Sequence, residues 1–450
     1  SSFLFGLFDI KFASKTLRPN QSTIRSRLDA DYLYSLSRSH FEQIPDHRAS
    51  NASHRLSDVL MSGMAMFGLK YPSVHCFEQQ SESERHNLHH LFGIKHLVSD
   101  AQMRKVLDPV ESEPLRLQLP MLWKQASRAG LKKAYKYWKG YAVLSLDGVE
   151  HFYSKKIHCD HCQQKCHRDG TISYSHSMLA AALVHPHRQE VFPLGCEPIL
   201  KQDGDTKNDC ERNAARRLLP WLKEQYPDMP FLVVEDALYA NGPHLEEMLE
   251  NGWQFIVNVK PKGNSSLFKA YQGRRARKNV QEMIHTEDGY TYHYRFTNNL
   301  PLNSSHPDLR VNFIHLTLTS PKGKTTEFTW ATSIKVSRHN VVKLVRAARA
   351  RWKIENETFN TLKNQGYHFE HNYGHGFENL STNFAYLMFA AFFIDQIIQA
   401  CSELFQAIRK ALRSKTKLWE VVRAAFMVRK LKSFKELYQY IARENYVQVE

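Results

Sequence analysis

The sequence predicts an α/β fold whose core is interrupted by a β-rich insertion and flanked by helical N- and C-terminal regions. Three observations carry this expectation. Between residues 141 and 258, short apolar runs bounded by turn residues alternate with stretches of helical period. From about Pro261 to Ser333 the pattern changes to two-residue alternation. Before and after these segments, apolar positions recur at three- and four-residue steps.

The elements follow in order. Residues from about 20 to 138 read as helical, with "SHRLSDVLMSGMAMFGLK" and "SDAQMRKVLDPV" as the clearest cases and Ser-Asp starts that suit helix N-caps. "YAVLSLDG" is a short strand that ends at Asp147 and Gly148. After a Cys/His-rich stretch come the strands "TISYSHSMLAAALVH" and "QEVFPL", then a helix over "TKNDCERNAARRLLPWLKEQY". The strand "MPFLVVED", a helix over "NGPHLEEMLENG" and the strand "WQFIVNVK" complete the run. Three strands, helix, strand, helix, strand is the connectivity of an RNase H-like core, in which the first strand lies beside the fourth. Its closing helix is delayed to "NVVKLVRAARARWKIENETFNTLKN", after the alternating stretches "YTYHYRF", "LRVNFIHLTL" and "TEFTWATS". The division expected is 1–138 helical, 139–260 core, 261–335 β-rich insertion, 336–400 closing catalytic helix and 401–450 helical tail.

Composition narrows the function. Of 450 residues, 61 are basic and 45 acidic, a net +16 that favours a polyanionic partner over an acidic metabolite and equally fits a basic surface. "SSFLFGLFDIKF" has no basic residue before its apolar run and no small-residue cleavage site, so no secretory signal is expected. "FAYLMFAAFFIDQIIQA" is broken by Asp395 and Gln396, which suits a buried helix rather than a membrane span. Seven cysteines, an odd number, point to a reducing compartment and a cytoplasmic location.

Three acids stand out. Asp147 ends the first strand and Asp236 ends the fourth, so parallel neighbouring strands would bring both carboxylates to one sheet edge. Two close carboxylates repel unless a cation lies between them, and hard oxygen ligands suit Mg²⁺ or Mn²⁺. Either aspartate alone also reads as a turn former, which Gly148 encourages. On the closing helix, seven-residue steps join Val341, Ala348, Glu355 and Leu362, beside a row of Val345, Trp352 and Phe359. Glu355 is the one acid in this otherwise apolar seam, whereas Glu357 lies about 200° further round the helix. A buried Glu355 needs a metal, or Arg351 one turn earlier as an ion-pair partner.

This layout resembles the DDE transposases of bacterial insertion sequences, in the cut-and-paste group whose core carries a β-insertion before the glutamate. The likeness spans roughly Tyr141 to Gly376 and rests on "LSLDG", "VVEDALYAN" and "RWKIENETFNTLK". It implies Asp147, Asp236 and Glu355 as a triad holding two Mg²⁺ or Mn²⁺ ions for phosphoryl transfer on double-stranded DNA, at transposon ends and at the target. A homodimer, a helical N-terminal region that reads the ends, and a place at the bacterial nucleoid also follow from the resemblance. A related nuclease that cuts without joining is the alternative, and a domesticated DNA-binding protein a further one that the intact triad argues against. The group's Tyr-x2-Arg-x3-Glu-x6-Lys signature is met at Arg351 and Glu355. Ala348 stands at its Tyr position and Leu362 at its Lys position, with Lys363 one residue late.

DNA contacts are expected from Arg351 and Lys363 and from basic residues set among aromatics: Lys132, Lys133, Lys136 and Lys139 near Tyr135, Tyr137 and Trp138. Arg274, Arg275, Arg277 and Lys278 form a second cluster, and Arg409 to Lys417 a third in the tail. Each cluster by itself also fits a solvated face. Cys159, Cys162, Cys166 and His167 form a candidate structural zinc set. All four lie within nine residues with no second C-x2-C. Two readings therefore stay open: a reduced, metal-free hairpin, or a shell completed by His158, His161 or His176.

Overall fold

A computed structural model gives the fold and describes residues 28–201, 210–445 and 447. The opening "SSFLFGLFDIKF" and the first residues of the helix expected from Thr206 lie outside the described residues.

Among the described residues, eleven strands form one mixed sheet. They are β1 (Lys136–Trp138), β2 (Tyr141–Ser154), β3 (Gln163–Cys166), β4 (Ile172–Val184), β5 (Phe192–Ile199), β6 (Phe231–Glu235) and β7 (Gln254–Asn258), followed by β8 (Gln281–Glu287), β9 (Tyr290–Pro301), β10 (Arg310–Thr319) and β11 (Thr325–Thr332). The order along the sheet is β3-β4-β2-β6-β7-β11-β10-β9-β8, with β5 also on β4 and β1 on β2. Strands β2, β4 and β5 are antiparallel, whereas β6 runs parallel to β2 and β7 parallel to β6. The first and fourth strands expected from the sequence, β2 and β6, are therefore neighbours. Their residues Ala142 to Leu146 and Phe231 to Glu235 are buried on both faces, as parallel strands covered by helices require.

The insertion is continuous with this sheet, because β11 pairs antiparallel with β7. It also holds a helix, Ser265–Ala276, that the sequence pattern did not predict. That helix buries only Leu267 and Tyr271, too few apolar positions to leave a periodic signal.

The helix Leu380–Cys401 is long and apolar enough to cross a membrane by length and composition, yet nearly all of it is buried inside the fold. It packs against Leu56–Gly68, every residue of which is buried. Asp395 is tolerated there because Lys70 Nζ lies 2.7 Å away and the Tyr367 hydroxyl donates to the same oxygen. Lys70 also sits over the Tyr367 and Trp419 rings, so N-terminal, core and C-terminal helices meet around one ammonium. Of the two expected N-caps, Ser99 closes a capping box with Gln102. Ser57 and Asp58 instead fall inside their helix, where the buried Asp58 carboxylate pairs with Arg38 at 2.9 Å.

Candidate active site

Register brings the two aspartates together. The parallel pairing of β2 and β6 ends at Ser145 opposite Val234, two residues before Asp147 and two before Asp236, so both aspartates lie just past the end of the shared ladder. Glu235, beside Asp236, turns into the interior, where His244 Nε2 holds it at 2.9 Å. Asp147 does not end its strand. β2 continues to Ser154 because β4 pairs along it as far as Tyr174, and only the partner β6 departs. Asp147 accepts from Gly148 N at 3.0 Å, and Asp236 caps a short 3₁₀ turn by accepting from Leu238 N at 2.8 Å.

Glu355 reaches the same edge by a different route than a regular helix would give. The helix Val341–Arg349 ends, and a π-helical turn runs from Ile354 to Phe359. Val341, Val345, Ala348, Phe359 and Leu362 of the expected seam are buried, but Trp352 and Glu355 are exposed, each close to half. Glu355 is thus no buried acid. The break in α-helical phase turns it out of the seam, toward Asp147. Arg351 Nη1 lies 2.7 Å from Glu355 Oε1 and 3.4 Å from Asp147 Oδ2, a cation set between the two carboxylates. The carbonyl of Arg351 accepts from Ser145 Oγ at 3.3 Å, which pins this segment to β2 two residues before Asp147. Glu357 faces away, toward Lys415 at 3.6 Å. A π turn holds about one more residue than an α turn. The extra residue brings Lys363, one late by sequence count, back to the helical phase of a seven-residue step from Glu355. Lys363 pairs with Glu370 at 2.6 Å.

Electrostatics mark this edge as crowded with negative charge. The Asp147 carboxyl is pushed up to about 7 by burial and by the Glu355 carboxylate, with Arg351 opposing. Glu211, which no sequence motif singled out, is a fourth acid. It lies in the first turn of the helix Glu211–Gln225 and receives a hydrogen bond from Tyr239 Oη at 3.1 Å. Burial and the charge of Asp236 raise its pKa. Its carboxylate fills the space where a Cβ at position 148 would stand, so Gly148 serves close approach within β2 rather than the turn expected of it. A cleft of about 600 Å³ opens here, lined by Gly148, Glu150, Glu211, Arg212 and Leu238 among others. Glu211 left no signal in the sequence, because a glutamate in a first helical turn is ordinary.

The remaining site residues are spread more widely. Lys132 and Lys133 lie on the short helix Leu131–Ala134 and Lys136 on β1, beside Ala142, about 16 Å of strand from Asp147. Arg274 and Arg275 close the helix Ser265–Ala276 and Arg277 follows it, with Arg275 and Arg277 exposed. There the cations also meet the negative end of the helix dipole. Of the expected zinc set, Cys159 and Cys162 come together and are buried. Cys166 is exposed, and His167 turns its Nε2 to Ser173 Oγ at 2.8 Å. β3 carries Cys166 along the edge of β4, away from the turn that holds the other two cysteines. His176 and His375 stand in their place. His176 was among the alternatives open from sequence; His375, over 200 residues from the C-x2-C, was not.

A family model described as the transposase DDE domain matches residues 149–393, more than half of the chain. The chain belongs to the DDE-domain transposase family. The matched region contains Asp236 and Glu355 and starts two residues after Asp147. Among curated proteins no match is found. Among solved structures, the chain is similar to a cryo-EM structure of the piggyBac transposase synaptic complex with hairpin DNA. The identity is 9%, the TM-score 0.42, and the match covers 93% of this chain and 81% of that one. The DDE domain implies phosphoryl-transfer chemistry with divalent metal ions. The donor set fits such ions: the acids offer only hard oxygens, and burial together with the Glu355 carboxylate raises the Asp147 carboxyl, a cost that a cation relieves.

Proposed function

We propose that this chain is a DNA transposase that binds the ends of a mobile element, cuts there, and joins the freed strands to target DNA. Asp147, Asp236 and Glu355 are its catalytic acids, set in an RNase H-like core (139–260 and 336–400). The observation that carries the reading is that Asp147 and Asp236 each lie two residues past the last pair of the parallel strands β2 and β6, while Arg351 pairs with both Glu355 and Asp147. Two divalent ions held by these acids would supply Lewis-acid activation of the attacking oxygen and stabilisation of the leaving one. The acids themselves need carry no proton in the step. Arg351 keeps the site assembled by pairing with both acids, and its planar guanidinium suits a backbone phosphate once cations replace it there.

Residues 1–138 are the region proposed to read the ends, and 401–450 to contact DNA or a second copy of the chain in a cytoplasmic homodimer. The +16 charge supports a DNA partner, with Arg274, Arg275, Arg277 and the Lys132 cluster as phosphate contacts. The test is gel-shift and cleavage assays in Mg²⁺ on DNA carrying the inverted repeats that flank the gene. Wild type should bind, cut and join, and Asp147→Ala and Asp236→Ala should bind without cutting. Full cutting by either variant would remove that residue from the site. Cutting without joining would reduce the activity to that of a nuclease.

A further inference from the structure

We propose that Cys159, Cys162, His176 and His375 bind one structural zinc ion that clamps the segment after the Glu355 helix to the far end of β2 and β4. The four come from three separate parts of the chain. Cys159 and Cys162 lie in the turn between β2 and β3, where Cys162 N donates to Cys159 O at 3.2 Å. His176 lies on β4, opposite Phe152 of β2. His375 stands between Gly374 (φ +151) and Gly376 (φ +69), in a loop that only residues free of a Cβ can trace at those two positions.

The geometry is that of a tetrahedral site. With Zn–S about 2.3 Å and Zn–N about 2.0 Å, a tetrahedron has edges of about 3.8 Å for S···S, 3.5 Å for S···N and 3.3 Å for N···N. Here the two sulfurs are 3.9 Å apart. His176 Nε2 is 3.5 Å from Cys159 Sγ and 3.3 Å from Cys162 Sγ. His375 Nε2 is 3.2 Å from Cys162 Sγ and 3.1 Å from His176 Nε2. The sixth edge, Cys159 to His375, is within 4.8 Å.

Protonation points the same way. His375 Nδ1 is 2.8 Å from the Gly376 carbonyl, which can only accept, so Nδ1 donates there and Nε2 is the atom left to face the cluster. Without a metal, two thiols and one His176 Nε2–H could make three hydrogen bonds and so account for at most three of the six edges. One soft cation satisfies all four atoms together. All four residues are buried and Phe152 packs against the His375 ring at 4.3 Å. Four protein ligands with no open position make a structural centre, and the S₂N₂ set selects zinc over the hard ions expected at the carboxylates.

The test is metal analysis of the full chain, purified without added zinc and dialysed against Mg²⁺. Wild type, Cys166→Ser, His167→Ala and Asp236→Ala should each hold about one zinc per chain, and Cys162→Ser and His375→Ala essentially none. Should the last two fail to fold, wild type exchanged with Co²⁺ decides the question. Intense tetrahedral d–d bands and a thiolate charge-transfer band are expected, together with two thiols that react only after chelation. Zinc-free wild type that takes up no Co²⁺ would overturn the proposal, as would zinc absent from Cys166→Ser or His167→Ala but kept by His375→Ala. Because the readout is metal content, it stands whether or not the chain transposes DNA.

Discussion

Two side-chain clusters flank β2, one at Asp147 and one beside Phe152 about 16 Å further along the strand, and they are built on opposite lines. At Asp147 the donors are carboxylates, partly open to solvent, with a guanidinium between two of them. Near Phe152 the donors are sulfur and imidazole, closed off by rings, with less than a tenth of any of the four residues exposed. Hard anionic oxygens at an accessible edge suit ions that exchange and keep positions free for substrate. A complete soft shell in the interior leaves no position for a substrate and can only hold parts of the fold together. On the two proposals made above, one cluster serves chemistry and the other architecture.

The largest effect expected on the open side is loss of all measurable cleavage in Asp147→Ala, Asp236→Ala and Glu355→Gln, with folding and zinc content kept. Cleavage assays paired with circular dichroism and metal analysis check this, and a variant that stops cutting only because it loses zinc would break the contrast. Next comes the closed side. Structural zinc sites contribute on the order of 10 kcal/mol of binding free energy in small domains. Cys162→Ser should therefore lower the melting temperature strongly and become insensitive to chelator, while chelation should lower that of wild type. A wild-type melt unchanged by a chelator strong enough to strip zinc would remove the architectural role.

A smaller effect concerns DNA affinity, which should fall steeply with salt. Replacing Arg274, Arg275 and Arg277 together with Gln should flatten the log–log slope by up to about 2.7, at about 0.9 for each phosphate no longer neutralised. An unchanged slope would mean that these arginines only complement the end of their helix. The smallest effect expected is that of Glu357→Gln, which faces Lys415 rather than Asp147. It should cut nearly as well as wild type, its cost being the loss of the part-buried pair with Lys415 rather than of activity. Loss of cutting there, with cutting retained by Glu355→Gln, would move the third acid two residues along.

How much of this was legible in the sequence differs between the two clusters. The strand order that makes β2 and β6 neighbours could be read from apolar runs and connection lengths, and with it the pairing of Asp147 and Asp236. Glu355 stands out in the sequence for a reason the structure does not bear out. The seam assumed an unbroken α-helix, and the π turn at Ile354–Phe359 turns Glu355 out of it. Local period carries no mark of such a turn, since Ala348 before it and Leu362 after it both keep their places in the buried seam. The zinc set was half legible. C-x2-C spacing identified Cys159 and Cys162, while the nearest further candidates, Cys166 and His167, follow β3 away from them.

By itself the sequence determined a mixed α/β core, the adjacency of its first and fourth strands, the two aspartates where those strands part and a basic balance that favours a polyanion. These depend on alternation, turn chemistry and charge, which act over a few residues or over the whole chain. Tertiary structure alone decided that the insertion continues the core sheet through β11 and β7, and that Glu211 stands against Gly148. It also brought His375 to Cys162, 213 residues away in sequence. Meetings of that kind are set by how packed elements come to rest against one another, and no local pattern encodes an encounter between residues that only the finished fold makes neighbours.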